Sequence, residues 1–179
     1  MTPGSSLDVA IELIVPDNTA HTVLVALRRL GYERLKQVQR ADHLRLSLRG
    51  DAPDPESVMQ RLAHAEVLFN PNKHRLLYAP ADAAAHEERE FEAIVRDKDD
   101  TADRLLRVLG TTFAMPYIAG ISRGVLWRLY DDEGPAPASR LEWTCSVLLS
   151  NAVSQTYQVQ PRPKRALFGG PLRPAANMR

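Results

Sequence analysis

Hydrophobic and polar residues alternate at the start of the chain in a way that is typical of a β-strand. From Val9 to Val15 every second side chain is strongly apolar, which is the two-residue period of a strand with one buried face. Residues 16–19 then break the strand and offer N-cap side chains. Apolar residues recur at helical spacing up to Leu30, and Gly31 follows where a helix end favours a residue that tolerates positive φ.

Two further strands are predicted after this helix. They cover residues 35–40 and 43–49, and Ala41 and Asp42 form a turn between them. One face of the second strand consists of leucines, namely Leu44, Leu46 and Leu48. Because these side chains are all apolar, we expect that face to lie beneath the helices.

A second helix and a final strand complete the first half. Asp54 supplies the N-cap, Pro55 takes the first helical position, and Asn70 with Pro71 ends the helix. With a short strand over residues 74–79, the order of elements is β-α-β-β-α-β.

The same order of elements returns after a linker. The predicted elements are a strand at residues 91–95, a helix ending at Gly110, strands at 116–122 and 125–129, a helix ending at Asn151 and a strand at 154–159. Arg123 and Gly124 form the predicted turn between the two middle strands. Ser139 and Glu142 form a capping box that opens the last helix.

The two halves also agree in register. A shift of 79 positions pairs Gly31 with Gly110, at the end of the first helix of each half. A shift of 81 positions pairs Asn70 with Asn151 and aligns the apolar positions of the two middle strands. We therefore predict a duplication. The alternative is two unrelated α+β stretches whose patterns match by chance.

The predicted fold class is α+β, with two tandem ferredoxin-like units of order βαββαβ. Each unit has an antiparallel sheet with both helices on one face, and the units form a pseudo-twofold pair. The predicted boundaries are 1–80 for the first unit, 81–89 for a linker, 90–160 for the second unit and 161–179 for a basic, proline-rich, disordered tail. Units of this size bury little surface alone, so we expect them to cover each other.

Several short motifs resemble the small PurS subunit of phosphoribosylformylglycinamidine synthase. They lie at residues 30–32, 38–40, 44–48 and 67–71 in the first half, and at 109–110, 121–123, 125–129 and 148–152 in the second. The chain departs from that family in two ways. The segment before the first helix, residues 15–19, is short, and family members are usually single units. A tandem copy is consistent with a family that assembles from paired subunits.

The resemblance implies a non-catalytic assembly or interaction subunit in purine synthesis, with glutaminase and synthetase subunits as protein partners. It implies no cofactor and no catalytic residue. The candidate partner contacts follow from position: Asn70, Pro71 and Asn151 come after the second helix of each unit, and Arg40 and Arg123 lie at the predicted hairpin turns. The alternative is that these residues serve only as caps and turns.

The total charge of the chain is nearly balanced, but the charged residues are distributed unevenly along the sequence. There are 23 Lys and Arg against 22 Asp and Glu, so the net charge of +1 does not indicate nucleic acid or a membrane as a partner. The last twenty residues carry bases and no acid. We consider two roles for Arg162, Lys164 and Arg165, which are docking on an acidic partner and keeping a disordered end soluble.

The sequence predicts a cytoplasmic protein without a metal or catalytic site. It has one cysteine, no apolar run of membrane length and no signal peptide. Cys145 lies on the apolar face of the last helix and is expected to be a buried thiol. The histidines lie at no metal-ligand spacing; they are His21, His43, His64, His74 and His86. Whether the chain associates with itself is left open.

Two other function classes use the same order of elements. Residues 123–130 are similar to the RNP1 pattern of RNA-recognition motifs, which stack bases on aromatic side chains of the open sheet face. Here Trp127 lies on the apolar face. The open face of the first unit would present His43, Arg45 and Ser47, which offer no platform for stacking. The other class is a ligand-sensing regulatory pair that binds a small molecule at the junction of its units.

Overall fold

The fold is α+β and consists of one antiparallel sheet of eight strands with four helices, over the part of the chain that the structure describes. That part, in a computed structural model, is residues 5–85, 90–99 and 102–168. In chain order the elements are β1 (Ser6–Leu13), α1 (Asn18–Arg29), β2 (Leu35–Leu48), α2 (Pro55–Ala63), β3 (His74–Pro80), β4 (Phe91–Asp97), α3 (Asp103–Thr111), β5 (Ile118–Asp131), β6 (Gly134–Pro135), α4 (Ala138–Thr144), β7 (Gln155–Pro161) and β8 (Ala166–Leu167). A π-helical turn, Cys145–Leu149, continues α4.

The strands follow the order β7-β4-β5-β2-β1-β3-β8, and β6 pairs with the end of β5. The centre of the sheet is the antiparallel pair of the two longest strands, β2 and β5. One strand triplet, β3-β1-β2, comes from the first half of the chain, and the other, β5-β4-β7, comes from the second half. The two halves therefore share a single sheet.

The predicted hairpin turns at Ala41-Asp42 and at Arg123-Gly124 are wrong. Both sites lie inside continuous strands of fourteen residues, β2 and β5. Asp42 pairs with β1 on one side and with Val125 of β5 on the other, so its backbone is extended within the ladder. β2 contains no Gly, Asn or Pro that would favour a turn, and Gly124 does not adopt a positive φ.

Several predicted helix boundaries are confirmed and others differ. The Asp17 carboxylate accepts hydrogen bonds from two backbone N–H groups and caps α1, and Asp54 caps α2 in the same way. Gly31 follows α1 with a φ of 104°. The Ser139 capping box does not form, because α4 begins directly after Pro137 without a side-chain cap.

Each strand triplet is covered by one helix from each half of the chain. This arrangement differs from the prediction that each unit carries its own two helices. Over the first strand triplet, α2 and α3 pack on the leucine face, and Leu109 of α3 lies in the same cluster as Leu46. Over the second triplet, α1 and α4 pack together, and Leu27 of α1 lies with Trp127. The exchange arises because β2 has no turn: the chain leaves α1 and enters β2 at the end that pairs only with β5.

Two features recur at a spacing of 81 residues. Asn70 accepts a hydrogen bond from Asn72 N–H through its side chain, and its own N–H donates to the His74 side chain. Asn151 makes the corresponding bonds, accepting from Val153 N–H and donating to the Gln155 side chain. The β2–β5 ladder is also centred on positions related by this shift, because His43 pairs with Gly124.

The tail that was predicted to be disordered is ordered over residues 162–168, which we call the C-terminal strap. The six strand spacings between β7 and β8 would separate these strands by about 29 Å in a flat sheet. The five residues from Pro161 to Ala166 span at most about 18 Å. The sheet must therefore curve until its two edges approach each other. Residues 169–179 of the predicted tail lie outside the described part of the chain.

Gly124 is expected to be intolerant of a side chain. A Cβ there would lie 2.7 Å from the Val95 carbonyl oxygen, because β4 crosses β5 closely at this point. We expect Gly124→Ala to lower the free energy of unfolding by about 1–3 kcal/mol, measured by chemical denaturation. Gly120→Ala is the matched control in the same strand, since its Cβ would meet Ser47 at an ordinary 3.8 Å. Equal stability of the two variants would contradict the close approach.

Candidate binding cleft and buried ion-pair network

The sheet face opposite the helices, which we call the inner face, carries buried charged side chains. They come from the four strands β1, β2, β4 and β5 and are Asp8, Glu12, His43, Glu92 and Arg128. Their positions alternate with the apolar residues of the helix-bearing face, so strand parity places all five on the inner face. Charged groups are rarely buried unless they are paired, so their partners decide whether this face is stable.

Arg165 of the C-terminal strap joins two of the carboxylates across the inner face. Its Nη1 and Nη2 donate to the two carboxylate oxygens of Glu92 at 2.8 and 2.7 Å, which is a bidentate pair. Its Nε donates to Asp8 Oδ1 at 2.7 Å. The Arg165 side chain is only 2% exposed, so the strap inserts it between β1 and β4.

The other members extend this pairing into a network. Arg128 Nη1 donates to Glu12 Oε1 at 2.6 Å, and Arg128 Nε lies 3.4 Å from Glu92 Oε2. His43 Nε2 lies 2.8 Å from Asp8 Oδ2. Each of the three buried carboxylates therefore contacts an arginine. The four neighbouring strands β1, β2, β5 and β4 are linked through these side chains as well as through backbone hydrogen bonds.

The network favours the ionised form of the Asp8 and Glu12 carboxylates. Burial alone would raise the pKa of Asp8, but the hydrogen bond and charge of His43 and the charge of Arg165 outweigh it and hold the pKa below the ordinary 3.8. Burial opposes ionisation of Glu12 as well, and Arg128 and Arg75 lower its pKa below 4.5. Burial alone would lower the pKa of Arg165, but the hydrogen bonds and charges of Glu92 and Asp8 outweigh it and raise the pKa.

Two predictions about this region are therefore corrected. His43 was expected on an open face, but it is fully buried because the C-terminal strap and the network lie over it. Arg162 and Arg165 were considered either for docking on an acidic partner or as part of a disordered soluble end, but both pair internally, and Arg162 donates to Glu90 at 2.7 Å. Lys164 is exposed and is the only one of the three predicted tail contacts that faces solvent.

The described residues place the single thiol and the ring of Trp127 in buried positions. They contain no group of three His, Cys, Asp or Glu side chains that could hold a metal ion. Cys145 is buried in the cluster beneath α1 and α4, as predicted, and burial raises the pKa of its thiol to about 12. Trp127 is 6% exposed and is covered by helices, so it is not available for base stacking.

A cleft opens on the helix-bearing face at the junction of the two strand triplets, and we call it the junction cleft. Its volume is about 370 Å³. Apolar residues from four strands line it, namely Ile11, Leu44, Val95 and Val125. Charged residues also line it, namely Arg40, Asp42, Asp97 and Arg123. The cleft therefore combines an apolar lining with both signs of charge.

The structure brings several predicted contact residues to this cleft. Arg40 lines it and is held by the carboxylates of Asp17, at 3.4 Å, and Asp42, at 3.1 Å. Arg123 lines it from β5. The loop that contains Asn70 and the exposed Pro71 contributes Val67 and Leu68 to the lining, and the Asn151 loop is bonded to the lining residue Gln155.

Sequence reasoning missed the inner-face network. The only local signal is that Asp8, Glu12 and Glu92 occupy polar positions of otherwise apolar strands, and such positions usually face solvent. No local pattern indicates that Arg165, more than seventy residues from Glu92, would lie between them. The pairing depends on the curvature of the whole sheet, which sequence periodicity does not describe.

Loss of the Arg165 guanidinium should destabilise the fold strongly. Arg165→Gln leaves the buried carboxylates of Asp8 and Glu92 without their shared cation, and we expect a loss of about 3–5 kcal/mol in the free energy of unfolding. Urea denaturation measures it. Lys164→Gln is the control, because that side chain is exposed. If the strap served only to increase solubility, both substitutions would change the free energy of unfolding by the same small amount.

The free energy of unfolding should fall steeply as the pH becomes acidic. Since the folded pKa values of Asp8 and Glu12 are lowered, their contribution is complete above the ordinary values of 3.8 and 4.5 and is lost as the pH falls through the folded values. Chemical denaturation as a function of pH measures this loss, and Asp8→Asn should flatten the curve in that window. A wild-type stability that does not change between about pH 3 and pH 6 would contradict the network's role.

The chain has no described helix that is both long enough and apolar enough to span a membrane.

No model of a known protein family matches the chain, and no curated protein matches it either. The resemblance to PurS therefore remains a prediction that rests on the motifs quoted for it.

Proposed function

We propose that the protein is a duplicated, non-catalytic interaction protein whose partner binds in the junction cleft. The observation that carries the proposal is the position of this cleft. It lies over the centre of the β2–β5 pair and takes residues 42–44 from one strand and 123–125 from the other, which are related by the shift of 81 positions. A cleft built in this way exists only when both halves are present.

The duplication is the finer part of this proposal. We infer two ferredoxin-like units with boundaries near residues 80 and 90, whose hairpins have opened into the long strands β2 and β5. The matching hydrogen bonds of the Asn70 and Asn151 loops support it, and so does a β2–β5 register centred on His43 and Gly124. In this arrangement each unit donates a helix to the other, so neither is expected to fold alone.

The distribution of charge supports binding rather than catalysis. On the inner face, the buried carboxylates pair with Arg128 and Arg165 and have no access to a substrate. At the junction cleft, Arg40 is a quarter exposed, and its contacts to Asp17 and Asp42 are longer than the 2.7–2.9 Å of a strong charged pair. A partner that carries a carboxylate or phosphate can therefore compete for this guanidinium.

The partners that we propose are those implied by the resemblance to PurS, the glutaminase and synthetase subunits of phosphoribosylformylglycinamidine synthase, in the cytoplasm. The acidic and basic residues at the junction cleft are suited to a polar protein surface, and the exposed Val67 beside it adds apolar contact area.

A second candidate function is the sensing of a small molecule, which would bind in the same cleft. The specific observation in its favour is the volume of about 370 Å³, since ligand sites usually occupy about 300–1,000 Å³. Under this alternative, nucleotides or amino acids raise the melting temperature of the isolated chain, and at 100 times the Kd a ligand adds about 2.7 kcal/mol of stability.

The double variant Arg40→Ala, Arg123→Ala tests the role of the cleft. We expect purified glutaminase and synthetase subunits to bind the wild-type chain in a surface-binding assay, and the double variant to bind at least about tenfold more weakly, which corresponds to about 1.4 kcal/mol. The melting temperature of each variant shows whether the fold is intact.

The matched control is Arg34→Ala, which removes an exposed arginine that pairs with Asp132 at 2.8 Å, away from the cleft. It should leave binding unchanged. Absence of any binding by the wild-type chain would reject the proposed partners. Equal binding by the wild type and the folded double variant would reject the cleft as the binding site.

A further inference from the structure

The outer edge of β7 is an unprotected sheet edge. β7 ends the strand order, and none of the described strands pairs with its outer side. Thr156, Tyr157 and Gln158 at its centre are all exposed. Edge strands in soluble proteins are usually protected by charged side chains, bulges or a covering segment. Residues 155–161 include no charged residue, so charged side chains do not protect this edge.

The backbone groups that point outward can be identified from the hydrogen bonds at the two ends of the β4–β7 ladder. Lys98 N–H donates to Ser154, and Arg162 N–H donates to Glu90, so the even-numbered residues of β7 bond to β4. The odd-numbered residues therefore direct their N–H and C=O groups away from the sheet. At the centre of the strand these are Tyr157 and Val159.

The corresponding edge in the first half of the chain is covered. By the shift of 81 positions, Tyr157 and Val159 correspond to Leu76 and Tyr78 of β3. The C-terminal strap occupies that edge: Phe168 N–H donates to Leu76 at 2.9 Å, and Ala166 pairs with Tyr78. Leu76, which also packs in the core cluster beneath α2 and α3, is 1% exposed, whereas Tyr157 is 42% exposed. Within the described residues, the strap covers one of two similar edges.

The uncovered edge is complementary to itself. If two copies of β7 pair antiparallel about a twofold axis at Gln158, Tyr157 lies opposite Val159 of the second copy, and the outward groups of these residues form four backbone hydrogen bonds. An aromatic side chain opposite a β-branched one is a favourable cross-strand pair. Because the strand has no charge, the two copies meet without repulsion.

The ends of the strand limit the pairing to this central segment. The N–H group of Gln155 already donates to Asn151 at 2.7 Å, and Pro161 has no N–H group to offer. Additional apolar surface is available on the helix-bearing face, where Val147 and Leu148 of the π-helical turn are 44% and 40% exposed. These residues belong to the element that comes before β7 in the chain.

We propose that the protein forms a twofold-symmetric homodimer in which the β7 strands of two copies pair antiparallel about Gln158, joining the two sheets into one. The partner is a second copy of this chain, and the surface is the same on both sides, as twofold symmetry requires. The junction cleft is not part of this interface, so the dimer leaves the proposed partner-binding site accessible.

A charge-swap experiment tests the dimer. At the twofold axis Gln158 lies directly opposite Gln158 of the second copy, so Gln158→Lys and Gln158→Glu each place two like charges side by side. By sedimentation equilibrium we expect the wild-type chain to approach twice its mass of 20.0 kDa as concentration rises. Each variant alone should dimerise about fivefold or more weakly.

An equimolar mixture of the two variants should restore dimerisation, because each heterodimer then places opposite charges at the axis. This rescue separates the interface from any effect of the substitutions on folding. Val153→Lys is the matched control, since it adds the same charge at a residue that is 86% exposed outside β7. It should dimerise as the wild type does.

Two results would overturn the proposal. A wild-type chain that stays at 20.0 kDa at every concentration has no self-association, and its β7 edge then serves a different partner or none. A dimer that forms equally well in Gln158→Lys uses another surface.

Discussion

The antiparallel pairing of β2 with β5 is the interaction on which the rest of the structure depends. It joins the two halves through thirteen residue pairs from Leu35–Asp131 to Leu48–Ile118. Because both strands run without a turn, each half delivers its first helix over the other half's strands. The junction cleft, the exchanged helices and the curvature of the sheet are all consequences of this one ladder.

The inner face shows how a curved sheet can bury charge without losing stability. Asp8, Glu12 and Glu92 would be costly to bury singly, but curvature brings them within reach of Arg128 and Arg165. The arginine forks satisfy several carboxylate oxygens at once, which is the geometry that lysine does not offer. The ion pairs of Arg165 with Asp8 and Glu92 therefore hold the C-terminal strap against the sheet.

The candidate site was predictable in part. Arg40 and Arg123 were selected because each lies at a predicted hairpin turn. The structure places both at one cleft, although in strands and not in turns. Asn70 was predicted to end α2, but that helix ends at Ala63, and Asn70 instead orders the loop that follows it. Arg165 was assigned to solvent, because a basic residue between prolines has no local feature that distinguishes a buried side chain from an exposed one.

The sequence by itself determined the class of the four helices and of the longer strands, the apolar faces of β1 and β4 and the caps of α1 and α2, because these depend on neighbours within a few residues. Only the tertiary structure decided that residues 35–48 form one strand and that the helices change sides. It also decided that Asp8 meets Arg165. Each of these outcomes depends on hydrogen bonds and ion pairs between segments far apart in the chain. These contacts form only when the curved sheet brings the segments together.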